Sequence, residues 1–368
     1  MINANLLFKI TQSIKFIYFF LILLFLSNQA TALKLSEFNA NLSYPWGMTW
    51  VNSDQLLITQ KKSYEILLID TLKNTSIKID HDIPVDGREQ GGLLDIISEG
   101  NNVWVTCSIK KDYGYTTAVF RAKLENNKLV DSQLIFEALP YITNGRHFGS
   151  RMIIKDEYLY VSIGERGKGM IAQDPSNAIG SIIRINKDGS IPKDNPYVQN
   201  PKWLPSIYQI GVRNPQGMDL DPLTNKVFIS NHGPKGGDFI GEVKKGTNYG
   251  WKRVAWGGKN YSGSKIGEGK AWETGLLKPN HIWVPSIGVG GIKFYKGNLF
   301  PEWENALLIG SLKFQYLSIL ERDGNNFKDE KIIFKNKIGR IRDIEINSAG
   351  EIFLIADEPN THLYKLTH

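Results

Sequence analysis

A single cysteine, Cys107, stands in 368 residues, so no disulfide can close within this chain. The fold must then be held by its apolar core or by a closed architecture. Export stays compatible with that, because an oxidising compartment permits disulfides without requiring them. Beyond the N-terminal stretch no segment is long and apolar enough to span a bilayer, and helix-period patterns are scarce. Basic residues are scattered, apart from pairs such as Lys61-Lys62 and Lys244-Lys245. A nucleic-acid partner would want a basic stripe, and there is none. There is no His-x-x-x-His pair, no cysteine cluster, no Walker motif and no dinucleotide glycine pattern. Zinc, nucleotide and NAD chemistry therefore lack support.

The N-terminus has the marks of a leader. Lys9 and Lys15 precede the apolar run Phe16 to Leu26, and Ala30-Thr31-Ala32 offers a small-x-small cleavage site. No cysteine stands at the end of the run, which argues against a lipoprotein anchor. The expectation is a signal peptide over residues 1–32 and one domain over 33–368, periplasmic or secreted, with no stable membrane span after cleavage. The formal charge is +7, and losing Lys9 and Lys15 would leave +5. That is a mildly basic surface, with local positive charge available to an acidic ligand.

The remainder reads as all-β: short apolar runs bounded by Gly, Asn and Asp. One phrase recurs, a short strand, a polar turn and a second apolar strand. Its six copies start at Trp46, Gly92, Arg151, Gly217, Gly291 and Arg342. Their second strands begin at Gln55, Asn102, Tyr158, Lys226, Ala306 and Glu351. A repeated unit of a few strands is the mark of a propeller. The period is irregular, so repeats alone leave a jelly roll or paired sandwiches open. Residues 187–205 and 257–278 read as long surface loops.

In a propeller the loops at one end of the channel converge. Polar residues precede the first strand of several copies: Gln90, His147 with Arg151, Arg213 with Asn214, and Arg340 with Arg342. Glu165 and Lys313 follow second strands. Gathered at one end, these would suit an anionic planar ligand and a proton transfer. Each has a plainer reading: a turn histidine, a solvated arginine pair, or an ion pair between Glu165 and Arg166. His232 reads more readily as structural. The loop Asn231 to Asp238 holds Gly233, Pro234, Gly236 and Gly237, which leave carbonyl oxygens outside any ladder. Free carbonyls suit Ca²⁺, although a tight turn explains such a loop equally well.

Read in order, the motifs resemble the soluble pyrroloquinoline-quinone (PQQ)-dependent aldose sugar dehydrogenases of the glucose/sorbosone type. The matching stretches are Gln90 to Asp95, His147 to Arg151, Gln173-Asp174, Arg184 to Gly189, Pro192 to Pro196 and Arg213 to Gly217. His232 to Asp238, Asn248 to Trp251, Pro285 to Ile287, Ser311 to Lys313 and Arg340 to Asp343 complete the set. The resemblance implies a six-bladed propeller of four-stranded antiparallel blades. It implies that His147 is the general base for the sugar C1 hydroxyl, oriented by Glu165, and that Arg213 lies beside the quinone oxygens. Gln90, Asn214, Lys313, Arg340 and Arg342 would hold PQQ. Gly233 and Pro234 would give carbonyls to Ca²⁺, with Tyr249 a candidate at a second calcium. A sugar substrate and a separate electron acceptor are the implied partners.

Four positions depart from the pattern. Glu165 stands for Asp, Val212 for His, Asn231 for Glu, and Phe239 for a Glu that would ligate a second calcium. Glu165 and Phe239 keep alive an alternative, a non-catalytic propeller binding a sugar, glycan or protein. A calcium-dependent hydrolase or lactonase is a further alternative; it would need a channel rich in carboxylates, whereas the expected centre is rich in Arg and Lys.

Overall fold

In a computed structural model, residues 33–38 and 40–368 are described. The expected leader lies outside them. The described chain folds into six antiparallel sheets of four strands each, the six-bladed propeller expected. Each of the six sequence phrases is the inner hairpin of one blade. The inner strands are Pro45–Trp50, Leu93–Glu99, Gly149–Lys155, Pro215–Leu220, Val289–Phe294 and Ile341–Ile346. The second strands do not alternate as half-exposed strands would. Gln55–Gln60 is buried at five of its six positions, and Ile352–Ala356 at all five. Both faces of such a strand meet a neighbouring blade, so a continuous apolar run is what the packing demands. Leu57, for example, is wholly buried in a cluster that joins the first blade to Leu93, Val105 and Cys107 of the second.

The ring is closed by a strand that the repeats did not reveal. Lys34–Glu37 pairs antiparallel with Tyr364–Thr367, Lys34 opposite Thr367, and so supplies the outermost strand of the last blade. The first and the last described strands thus share one sheet, which removes the open seam. Among the described residues no helix is long and apolar enough to cross a membrane.

All six inner hairpins carry a register shift near the start of the inner strand. A bulge there re-aims the chain toward the axis. Buried carboxylates accept the amides freed at or near three of these bulges. Asp95 Oδ2 accepts from Met152 N (2.8 Å), Asp219 Oδ2 from Phe294 N (2.7 Å) and Asp343 Oδ2 from Met48 N (3.0 Å). Arg151 crosses the axis itself. Its guanidinium meets Asp95 at 3.0 Å and Asp343 at 2.9 Å, and donates to the carbonyls of Gln216, Trp46 and Arg342. Arg151 is therefore the plug of the channel and does not line the cavity above it, which corrects its grouping with His147.

Candidate functional site

Above the plug, at the N-terminal ends of the inner strands, lies a cavity of about 720 Å³. That is within the usual range for small-molecule sites. Gln90, His147, Arg213, Asn214, Arg340 and Arg342 all line it, so the loop ends do converge. Six Lys and Arg side chains line the cavity against two carboxylates, Glu89 and Asp357.

His147 sits in the left-handed region with φ 52°. Its amide donates to Gln90 Oε1 at 2.8 Å and its carbonyl accepts from Arg166 N at 3.3 Å, which holds a backbone most residues avoid. Its Nδ1 is hydrogen-bonded to the Glu165 carboxylate, whose second oxygen accepts the Gly169 amide. The extra methylene of Glu over Asp is thereby absorbed: the longer carboxylate bridges the imidazole and the next turn. Gly164 permits the approach, since a Cβ there would lie 2.0 Å from the His147 carbonyl oxygen. Burial, with the charges of Arg213 and Arg146, holds the His147 pKa below its ordinary value, against the pull of Glu165. Burial works to raise the Glu165 carboxyl, but the hydrogen bonds from His147 and Gly169 and the charge of Arg213 outweigh it and keep it ionised. The pair is thus a neutral imidazole donating from Nδ1 to a carboxylate, with Nε2 free of protein partners among the described residues.

Arg213 is 8 % exposed, and none of the ion pairs among the described residues includes it. Among the described residues its guanidinium contacts only the His232 carbonyl (3.5 Å) and the Trp251 ring (5.4 Å). Its main chain is firmly set: its carbonyl accepts from Glu165 N (2.8 Å) and its amide donates to Asn231 Oδ1 (3.1 Å). A buried cation with no anion in contact is costly, and an anionic occupant would offset that cost. Arg342 points the same way. It donates to Gln216 Oε1 (2.8 Å) and Asp357 Oδ2 (2.6 Å), while its Nε is buried and unpartnered among the described residues. Asn214 Oδ1 accepts the Gly149 amide at 3.0 Å, tying two blades together below the cavity.

Other expected residues lie elsewhere. Lys313 does not line the cavity: its ammonium donates to Ser286 O at 3.1 Å and lies over Phe314. Gly233 and Pro234 sit in a loop pinned by Asp238, which accepts the amides of Gly233, Gly288 and Val289. No hydrogen bond among the described residues ends on the Gly233 or Pro234 carbonyl, so both stay available to a hard cation. Tyr249, the candidate at a second calcium, has its side chain in an apolar cluster. Its ring packs 4.8 Å from Phe239 and its hydroxyl donates to Glu242 O. Phe239 thus turns the surroundings of Tyr249 aromatic. No group of three or more His, Cys, Asp or Glu is placed to hold a metal among the described residues.

Sequence reading missed Tyr44, Trp46, Lys61, Lys62, Gln216 and Asp357 in the cavity wall. Lys61 is clamped to Asp357 at 2.9 Å, and Asp357 also holds Arg342. A signal was present: Lys61, His232 and Asp357 each follow a second strand directly, one residue before the place already used for Glu165 and Lys313. His232 is both structural and part of the wall, with Nε2 2.5 Å from Val289 O and its pKa pushed down to about 4 by burial.

The glucose/sorbosone dehydrogenase family model matches residues 42–365. The chain belongs to that family. It is 31 % identical over 336 residues to the aldose sugar dehydrogenase YliI of Escherichia coli, covering 89 % of this chain and 90 % of that one. It is 24 % identical over 422 residues to quinoprotein glucose dehydrogenase B of Acinetobacter calcoaceticus, covering 89 % and 85 %. The solved apo-form of the soluble aldose sugar dehydrogenase from Escherichia coli superposes with a TM-score of 0.87 at 30 % identity, covering 91 % of this chain and 99 % of that one.

Proposed function

We propose that this family member is an exported quinoprotein that oxidises the C1 hydroxyl of an aldose to the lactone with PQQ and Ca²⁺. The observation that carries it is one cavity lined by a neutral His147, backed by the Glu165 carboxylate, beside Arg213, a buried cation with no ion pair among the described residues. PQQ has three carboxylates, and the excess of Lys and Arg in the wall suits such a ligand. Gln90, Arg213, Asn214, Arg340 and Arg342 would hold it, with the free carbonyls of Gly233 and Pro234 offered to Ca²⁺. When bound, the quinone supplies a two-electron sink for the hydride that leaves C1.

The chain's own residues handle the proton and the charge. His147 Nε2 accepts the C1 hydroxyl proton, and Glu165 stabilises the imidazolium that results. Arg213 presents a fixed positive charge where negative charge develops, in a site that needs no reorganisation. Lys313 is displaced from the wall, so a role in holding the cofactor requires its ammonium to leave Ser286 O. The hydrolase alternative is disfavoured by a wall with two carboxylates among six cations. The non-catalytic alternative loses its main support once Glu165 is seen to reach His147. Export rests on the charged, apolar and small-residue order of the first 32 residues.

The test is reconstitution of purified apo-protein with PQQ and Ca²⁺, following dye reduction over a panel of aldoses. Sugar-dependent reduction requiring both additions is the expected result. Failure to bind PQQ would return the non-catalytic propeller to the front.

A further inference from the structure

Arg166 follows Glu165 in sequence and invites reading as its ion-pair partner, but the structure gives it another task. Its side chain is at 0 % exposure, and none of the ion pairs among the described residues includes it. Instead the guanidinium is divided among three carbonyls. Nε donates to Arg146 O (2.8 Å), Nη2 to Asn144 O (2.7 Å) and Nη1 to Tyr115 O (2.7 Å). It lies 3.6 Å from the centre of the Phe148 ring, and Phe148 lines the cavity. The main chain adds two ties, Arg166 N to the His147 carbonyl (3.3 Å) and the Asn144 amide group to the Arg166 carbonyl. Five contacts from one residue therefore fall on the segment 144–148.

The choice of side chain is informative. Burying a cation without an anion is unfavourable, and burial does push the Arg166 pKa down to about 9. An ordinary turn has no need of that cost. What a guanidinium gives, and Lys or Gln does not, is a rigid planar fork able to donate to several carbonyls at once. Two of those carbonyls, of Asn144 and Arg146, belong to the segment that holds His147 in its left-handed conformation, and the third, of Tyr115, anchors the fork to a neighbouring strand.

We propose that Arg166 is the positioning residue for the His147 base, fixing the segment 144–148 so that the imidazole stays locked between Glu165 and the cavity. This rests on the reading of His147 as the base. The charged and titratable groups facing His147 are Glu165, Arg213 and Arg146, the last paired with Glu89 at 3.3 Å. Burial is the main cause of the depressed His147 pKa, so a loosened segment that admits water moves that pKa up toward 6.5.

The experiment compares Arg166→Lys with the wild-type full-length protein, counting turnover per bound PQQ so that unfolded molecules do not enter. The expected result is a loss of kcat on the order of 10- to 100-fold, as for a misplacement of about 1 Å. Sugar KM and PQQ affinity should stay within about threefold, since the residues holding ligand are untouched. NMR titration of the His147 imidazole in the apo-protein should show its pKa raised relative to wild type. A kcat per bound PQQ within twofold of wild type, or an unmoved imidazole titration, overturns the proposal. If Arg166→Lys does not fold, Asn144→Ala, which deletes the side-chain tie to the Arg166 carbonyl, is judged by the same two readouts. His147→Ala is measured alongside. Near-normal turnover in that variant refutes the base itself, whereas its inactivity with an unaffected Arg166→Lys refutes only the positioning role.

Discussion

Shortening Glu165 by one methylene tests the geometry of the site most sharply. The carboxylate bridges His147 Nδ1 and the Gly169 amide, and its side chain is only 2 % exposed. Asp in its place reaches about 1.5 Å less far, one C–C bond. A contact of hydrogen-bond length would open to roughly 4 Å, past the limit of about 3.2 Å for a real bond. One of the two bonds must then be lost, unless the backbone moves. Gly164 restricts that movement, because it already lies against the His147 carbonyl. A hydrogen bond to a charged group contributes about 1.5–3 kcal/mol. If the lost bond is the one that orients the base, that converts to roughly a 10- to 100-fold fall in kcat. Glu165→Gln keeps the reach but removes the charge and sets an NH₂ group against the Gly169 amide or against His147 Nδ1–H. It should cost at least as much. Steady-state kinetics with dye as acceptor, at saturating PQQ and Ca²⁺, decide the matter. An Asp variant with wild-type kcat would refute the claim that the longer side chain is what this site requires.

His147→Ala should abolish turnover and leave PQQ binding largely intact, checked by dye reduction and by equilibrium binding of the cofactor. Because burial holds the His147 pKa below 6.5, activity should persist as pH falls from neutral through 6.5 and be lost only below that, as the imidazole takes up a proton. Stability has the same sign: the unfolded histidine protonates first, so this group's contribution is complete above 6.5 and declines as pH falls toward the depressed value, readable as a falling Tm absent in His147→Ala. Arg213→Met should weaken PQQ binding by on the order of 10-fold or more, yet should not lower the Tm of the apo-protein, because it removes a buried charge that makes no ion pair among the described residues. Chelation of Ca²⁺ should suppress turnover of the PQQ-loaded protein but leave apo-protein Tm unchanged, since the surroundings of Tyr249 are closed by Phe239; a large fall in Tm on chelation would point to a structural ion.

What could be read in advance follows from where burial is two-sided. The inner hairpins lie between neighbouring blades, so their apolar runs repeat visibly, and six phrases gave six blades. Outer strands face solvent and carry little pattern: Thr75–Ile79 is exposed at four of its five positions. The closing strand Lys34–Glu37 has four residues with three exposed, and only its partner Tyr364–Thr367 makes it a strand.

The same logic divides the cavity. Gln90, His147, Arg213, Asn214, Arg340 and Arg342 were legible because each lies within three residues of the start of an inner strand, Arg342 just inside it, and the inner strands converge on the axis. Lys61 and Asp357 were not, although they follow second strands as Glu165 does, one residue closer to the strand end, because a Lys after a β-strand carries no chemical signature until its partner is known. Here the partner comes from the other end of the chain, 296 residues away. Arg166 shows the converse. Its neighbour Glu165 supplied an easy local explanation in sequence, and the fold turned the guanidinium away toward the carbonyls of the histidine-bearing segment. In a closed ring the partner of a polar residue is set by which blade ends meet at the axis, so a local pairing in sequence is a weak guide at the channel. Long-range ties such as Lys61–Asp357 join the first and last blades beside the cavity. Closure of the ring and assembly of the cationic wall therefore share the same ties, and a chain whose ends fail to pair should lose both together.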